Sequence, residues 1–249
     1  MALVTWTSLN SGNWSDGSDW STGASPLQGD DVVINPAASV TVTYNTGTLS
    51  LDSLTTGASA MFDFAGGMLT TFNGYSFAGA LTISAGELRL CSGNFGGLLG
   101  GIDQSGGSLN LVYNAEAQGG SLLQTAGTIS IAQGSFTDAE LSGTLSGLLT
   151  GNGEFIFEAP GATDTTILNI GFADTVAYTD IASGTVLLDE NLADGHTFTV
   201  GPNGTLALNG NTLTLSGASA LDEQSPAAAS SPSPAMGCSM AWCWTTARR

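Results

Sequence analysis

The chain has no lysine. Its only basic residues are Arg89, Arg248 and Arg249, against 21 acidic ones, giving a formal net charge of −18 over 249 residues. A surface of that sign repels phosphate backbones and anionic headgroups, so nucleic acid is excluded as a partner. One histidine, His196, and three cysteines, Cys91, Cys238 and Cys243, supply neither a zinc spacing nor a disulfide framework. No apolar run approaches the roughly 18 residues of a membrane span. No segment carries the 3.6-residue apolar period of a helix. The Gly-x-Ser-x-Gly elbow and phosphate-binding loops are also missing, and no residue set calls for a cofactor.

What the chain has is glycine, 35 in all, and a repeat. The phrases GTLSL from Gly47, GGMLT from Gly66, GELRL from Gly86, GSLNL from Gly107 and GTISI from Gly127 are spaced by 19, 20, 21 and 20 residues. GEFIF from Gly153, GTVLL from Gly184 and GTLAL from Gly204 follow, and the longer gaps around Gly153 read as loop insertions. Positions two and four after most of these glycines are apolar with a polar or small residue between, as in Leu88-Arg89-Leu90 and Leu109-Asn110-Leu111. That is the period-two alternation of a strand with one buried face. The unit from Gly66 breaks it, with Met68 followed by Thr70. Second short strands, ALTIS, GIDQS and SLLQT, precede three of the glycines and place Gln104 and Gln124 for a stacked amide ladder. Phe77, Phe95 and Phe136 fall 9 to 11 residues after corner glycines, which predicts one aromatic stack in the core. On this pattern Leu109 faces in, and Asn110 faces out and tolerates aspartate.

Short strands at a period of about 20 residues predict an all-β chain, a right-handed parallel β-helix or β-solenoid. An N-terminal cap with the first strand is expected over residues 1–39, the solenoid over 40–221, and a disordered tail over 222–249. That tail concentrates Pro, Ser, Ala, Cys238, Cys243 and two tryptophans, a composition expected of a linker or of a shifted reading frame.

The opening stretch WTSLNSGNWSDGSDWSTGASPLQGDDVVIN admits three readings. Large tryptophans at the end of a solenoid would cover an open core and an unpaired strand edge. Alternatively, Trp6, Trp14 and Trp20 would be surface contacts that stack on sugar rings. Asp16, Asp19, Asp30 and Asp31 would offer oxygen ligands to calcium, but no calcium-loop spacing is present, and turn aspartates in solvent are the simpler expectation.

Trp6, Gly12, Trp14, Trp20, Gly23, Pro26, Asp30, Asp31, Val32 and Ile34 together resemble the opening of bacterial secreted β-helix proteins of the autotransporter and hemagglutinin-like adhesin type. The resemblance implies an extracellular or cell-surface module, non-enzymatic and structural or adhesive. Host-surface or matrix glycans or proteins, and further coils of a longer solenoid, would be its partners. Met1–Trp6 shows no signal-peptide pattern, so export by another route, or a fragment of a longer chain, is expected. The rival is a carbohydrate-active β-helix enzyme or a glycan-binding module. A glycosidase would need two carboxylates about 5–10 Å apart, drawn from Asp103, Glu116, Asp138, Glu140, Glu154 and Glu158, with Asp138/Glu140 and Glu154/Glu158 as the local pairs. No acid partner for His196 stands out in the sequence.

Overall fold

The computed structural model describes residues 2–45, 47–91, 96–98, 100–112, 115–119, 122–131, 134–138, 144–145, 147–157, 165–168, 173–216 and 219–221. Residues 222–249, with Cys238 and Cys243, lie outside them. The described chain is a parallel β-solenoid. Every described strand pair is parallel, and each turn of the chain lays down three short strands, one in each of three ladders.

The first ladder starts with Leu3–Thr5, continues through Asp31–Ile34 and 53–56, and reaches 178–181 and 197–200. The second starts with Gly12–Asn13 and runs through Val40–Tyr44, Ala60–Phe64, Leu81–Ile83, Ile102–Gln104 and Leu122–Gln124. The third carries the glycine phrases, from 48–51 through Glu87–Cys91, Ser108–Val112 and Thr128–Ile131 to 173–176. Neighbouring strands in a ladder lie about 4.8 Å apart, so each side chain rests on its counterpart one coil earlier.

The inward residues therefore form columns. In the third ladder Leu49, Leu69, Leu88, Leu109, Ile129 and Leu149 succeed one another, and all but Leu49 are fully buried. Gly86, at φ 81°, sits in the left-handed region. A Cβ there would stand 2.4 Å from the Gly67 carbonyl oxygen. Glycine is thus needed at that corner both for its φ and for the close approach of the preceding coil.

The register corrects the sequence reading in three places. The corner glycine of the second unit is Gly67, because Met68 pairs with Glu87. Leu69 and Thr71 are then the inward pair and the apparent break disappears. Gly127 is followed by Gly147, since Thr128 pairs with Leu148. The phrases from Gly153, Gly184 and Gly204 belong to other ladders, where 154–157 continues the first and 185–188 the second. The insertion falls later, as Leu148 pairs with Ala173. Finally, Phe77 and Phe136 do not share a column. Gly97 pairs with Ser76, which puts Leu98 beside Phe77, whereas Phe136 pairs with Ala117 and Phe155. Phe77 is fully buried; Phe95 and the side chain of Phe136 lie outside the described residues. Counting from the glycine failed because corners differ by one residue, as at the bulge that sets Phe72 and Asn73 against Asp52.

The glutamine ladder is present. Gln104 pairs with Gln124, both fully buried, and Gln124 Nε2 donates to Gln104 Oε1 at 3.1 Å. Gln104 Nε2 also faces the carbonyl oxygens of Gly106, Gly107 and Thr128. A Cβ on Gly127 would meet the Gln104 amide at 2.7 Å, so the corner glycine also makes room for it. The column leads into the pair from Ile83 and out through Leu145.

Outward residues pair across coils as well. Asn110 faces out but its Nδ2 donates to Glu87 Oε1 at 2.7 Å, and that contact sets a test. Leu109→Asp should lower the unfolding free energy in urea by more than about 4 kcal/mol, since a carboxylate enters a buried column. Asn110→Ser should cost less than about 1.5 kcal/mol. Asn110→Asp, tolerated on the sequence pattern alone, sets two carboxylates together and should cost about 1 kcal/mol at low salt, shrinking as salt is added. Salt-independent loss in Asn110→Asp would contradict this register.

Candidate functional site

The opening stretch is a lid. Trp6, Trp14 and Trp20 are 2%, 5% and 2% exposed, so the alternative in which they are surface contacts is corrected in favour of the lid: the rings point into the molecule. Trp20 lies edge-on to Trp6 at 5.0 Å and to Trp14 at 4.9 Å between ring centres. Trp14 continues onto Tyr44 and Phe62 of the first coils. Trp20 Nε1 donates to the Trp14 carbonyl at 2.8 Å, which satisfies its polar edge inside the cluster.

The same segment closes the strand edge. Ser21 N donates to Thr5 O at 2.8 Å, and Thr5 N donates to Ser21 Oγ at 3.0 Å. Thr7 N donates to Asp19 O, and Trp6 and Trp20 form an antiparallel bridge. An antiparallel return thus covers the outer side of a parallel ladder, where a template for further pairing would otherwise stand. Asp30 is not the solvated turn residue expected from sequence. It is buried, and its carboxylate accepts from Ala2 N and Leu27 N, both at 2.9 Å. Asp31 accepts from Ser53 Oγ of the next coil at 2.6 Å. Asp16 behaves as expected, capping the turn at Gly17–Asp19 through Ser18 N and Ser18 Oγ, which hold its pKa below the ordinary value.

Along the rod the acidic residues are interleaved with neutral ones. In the second ladder the outward order is Asn13, Thr43, Asp63, Thr82, Asp103 and Leu123. Asp63 accepts from Thr43 Oγ1 at 3.1 Å and from Thr82 Oγ1 at 2.7 Å. In the first ladder Ser135 separates Glu116 from Glu154. Among the described strand pairs no acidic residue stands opposite another. Of the carboxylates considered for glycosidase chemistry, Asp103 is exposed on its face, flanked by Thr82 and Leu123. Glu140, Glu158 and the side chains of Glu116, Asp138 and Glu154 lie outside the described residues, so neither local pair is placed. A shallow depression of about 260 Å³ beside Val40, Thr41, Ser59, Ala60 and Met61 has no ionisable side chain in its wall.

The sequence reading missed a polar cluster inside the later coils. Asp174 and Asp194 are 5% and 1% exposed. Asp174 Oδ1 accepts from Val176 N at 3.0 Å and Oδ2 from Thr179 Oγ1 at 2.6 Å. Asp194 Oδ1 accepts from His196 N at 2.7 Å, and His196 Nδ1 lies 3.4 Å from the same oxygen. Asp194 Oδ2 is buried without a hydrogen-bond partner. Burial pushes the Asp174 carboxyl up to about 6; the Thr179 and Val176 hydrogen bonds oppose this, Asp194 adds to it and His196 subtracts. The signal was present in the chain as ADTVAYT and ADGHTFT, each with Asp second and Thr seventh, 20 residues apart.

Comparison with protein-family models, curated proteins and solved structures finds no match.

The lid assignment makes a mutational prediction. Trp14→Ala and Trp20→Ala should each destabilise the protein by roughly 3–5 kcal/mol in urea unfolding, as truncation of a buried aromatic does. Side chains serving only as exposed sugar platforms would change stability by less than about 0.5 kcal/mol.

Proposed function

We propose that this chain is a non-enzymatic structural module of the extracellular or cell-surface kind, a solenoid whose long faces make adhesive contacts. The observation that carries this reading is the outward order Asn13, Thr43, Asp63, Thr82 and Asp103, a regular polar face with its acids spaced coil by coil. Hydroxyls and carboxylates repeated at about 4.8 Å suit broad, shallow recognition of glycans or proteins. Catalysis on a polysaccharide would instead need a recess that holds a sugar ring between two carboxylates. The depression near Val40 has no carboxylate in its wall. The absence of lysine and the charge of −18 turn such a face away from anionic partners and toward neutral or basic ones. The resemblance of the opening segment to secreted β-helix adhesins points the same way.

The test runs two assays on the same preparation. An array of neutral glycans and matrix proteins should show binding that weakens when Thr43 and Thr82 are both replaced by alanine. A reducing-end assay on extracellular polysaccharides should show no release above the blank. Release that disappears in Asp103→Asn would overturn the proposal in favour of a glycoside hydrolase.

A further inference from the structure

We propose that Asp174, buried beside Asp194, is a proton-operated latch, holding the coils from about residue 173 to 200 loosely at neutral pH and tightly once Asp174 takes up a proton. The argument begins with register. Elsewhere in the described ladders each acidic residue faces a hydroxyl, a small or an apolar residue one coil away. Asp174 and Asp194 also face apolar residues, Leu149 and Leu215, and differ from the others in being buried. They are 20 residues apart, the repeat length, in matching sequence phrases. Each accepts the backbone N–H two residues on, from Val176 and from His196, so both side chains are bent into the same kind of turn. Both are buried.

Asp174 moreover occupies an inward column. It pairs with Leu149, itself preceded by Ile129 and Leu109, so a carboxylate stands where six coils in succession put an aliphatic side chain. Only two of the surrounding charges act on it. Asp194 disfavours its ionised form and His196 favours it. The paired strand offers no ionisable residue at Leu148–Gly151. Asp180, further along the same strand, accepts from Thr199 Oγ1 at 2.5 Å and is only partly buried. Asp189 lies exposed, and Glu190 half-buried, in the turn that precedes Asp194. Asp194 Oδ2 is buried without a hydrogen-bond partner, and the inward carboxylate of Asp174 beside it carries a desolvation cost that a proton on Asp174 relieves.

The direction follows from linkage. The Asp174 carboxyl is raised from 3.8 to about 6 in the folded chain, so the folded state binds the proton more tightly between those values. Stability of these coils therefore falls as pH rises from about 4 to 6 and stays at its lower level above that window. Acidification from pH 7.5 to 5 moves the pair toward the tight form.

Hydrogen exchange on the full chain, corrected for intrinsic rates, reads this out. Amides of 173–200 should gain at least about tenfold in protection between pH 7.5 and 5, one pK unit being a factor of ten, while amides of 48–91 stay level. Asp174→Asn should give the tight form at pH 7.5 and remove the pH response. Thr179→Val deletes a hydroxyl that stabilises the ionised form and should move the midpoint to higher pH, an independent check should Asp174→Asn misfold. Equal protection of 173–200 at both pH values in the native sequence would overturn the latch. So would a response that survives Asp174→Asn, or full tightening by millimolar calcium at pH 7.5, which would make the pair a cation site.

Discussion

Stacking in register is the constraint on which everything else rests. When each coil lies about 4.8 Å above the last, a residue's main neighbour is its own counterpart some 20 positions away. A good choice is then good in every coil, and a bad one is bad in every coil. Leucine on leucine is good, which is why the third ladder repeats Leu69, Leu88, Leu109 and Leu149 with little variation. An amide on an amide is tolerable in the core because each can donate to the next, as Gln124 does to Gln104. Charge on like charge is the choice that stacking punishes most.

This punishment explains how a lysine-free chain with 21 acidic residues can be a solenoid at all. With no cations to alternate, the acids alternate with hydroxyls and amides. Asp63 is held between Thr43 and Thr82, Asp31 by Ser53, Asp52 by Asn73 and Glu87 by Asn110. Each such contact exchanges a repulsion for a charge-assisted hydrogen bond. Arg89, the lone base in the repeat region, sits 3.7 Å from Glu87 at the half-exposed surface, where an ion pair contributes little. The faces are thus kept together by polar pairing between coils, and the interior by apolar columns.

Register also makes the first coil a problem, because no described strand lies outside it to complete its ladder. The opening segment answers with two devices of different physics. An antiparallel return at Asp19–Ser21 takes up the free backbone groups of the first strand, and three tryptophans fill the space above the core. Much of this was legible in the chain. Alternation after glycine gave the third ladder, the spacing gave the stacked coils, and the atypical opening gave the lid. What stayed hidden is what depends on corners. A corner may take one residue or two, as Asp52 against Phe72 and Asn73 shows, and each extra residue shifts the frame of the next strand. A count from the corner glycines therefore puts Phe77 and Phe136 in one column, although the backbone places them in two. The phrases from Gly153 onward share the pattern of the third ladder although they run in the first and second. Asp30 was hidden for another reason: its burial comes from Ala2 and Leu27, which no local pattern links to it.

The buried aspartates failed to show because alternation invites the wrong inference about them. In a chain where polar residues flank apolar ones, nothing local marks Asp174 and Asp194 as buried, and the turns they make hide them further. Their carboxylates nevertheless fold back under the corner, where Thr179 meets one and nothing meets the free oxygen of the other. A sequence can specify a fold with every local choice agreeing and still place one pair against the rule, and such exceptions concentrate where a structure has something to do. Here the exception falls in coils where, among the described residues, the ladder does not continue beyond 173–176: Leu192–Asp194 pairs with Leu213–Leu215, apart from the main sheet. Two inward charges and an interrupted ladder weaken the same coils for independent reasons. Proton uptake removes only the first of them, so a response to acid there would measure the charges and leave the interrupted ladder as the residual difference from the leucine-columned coils before it.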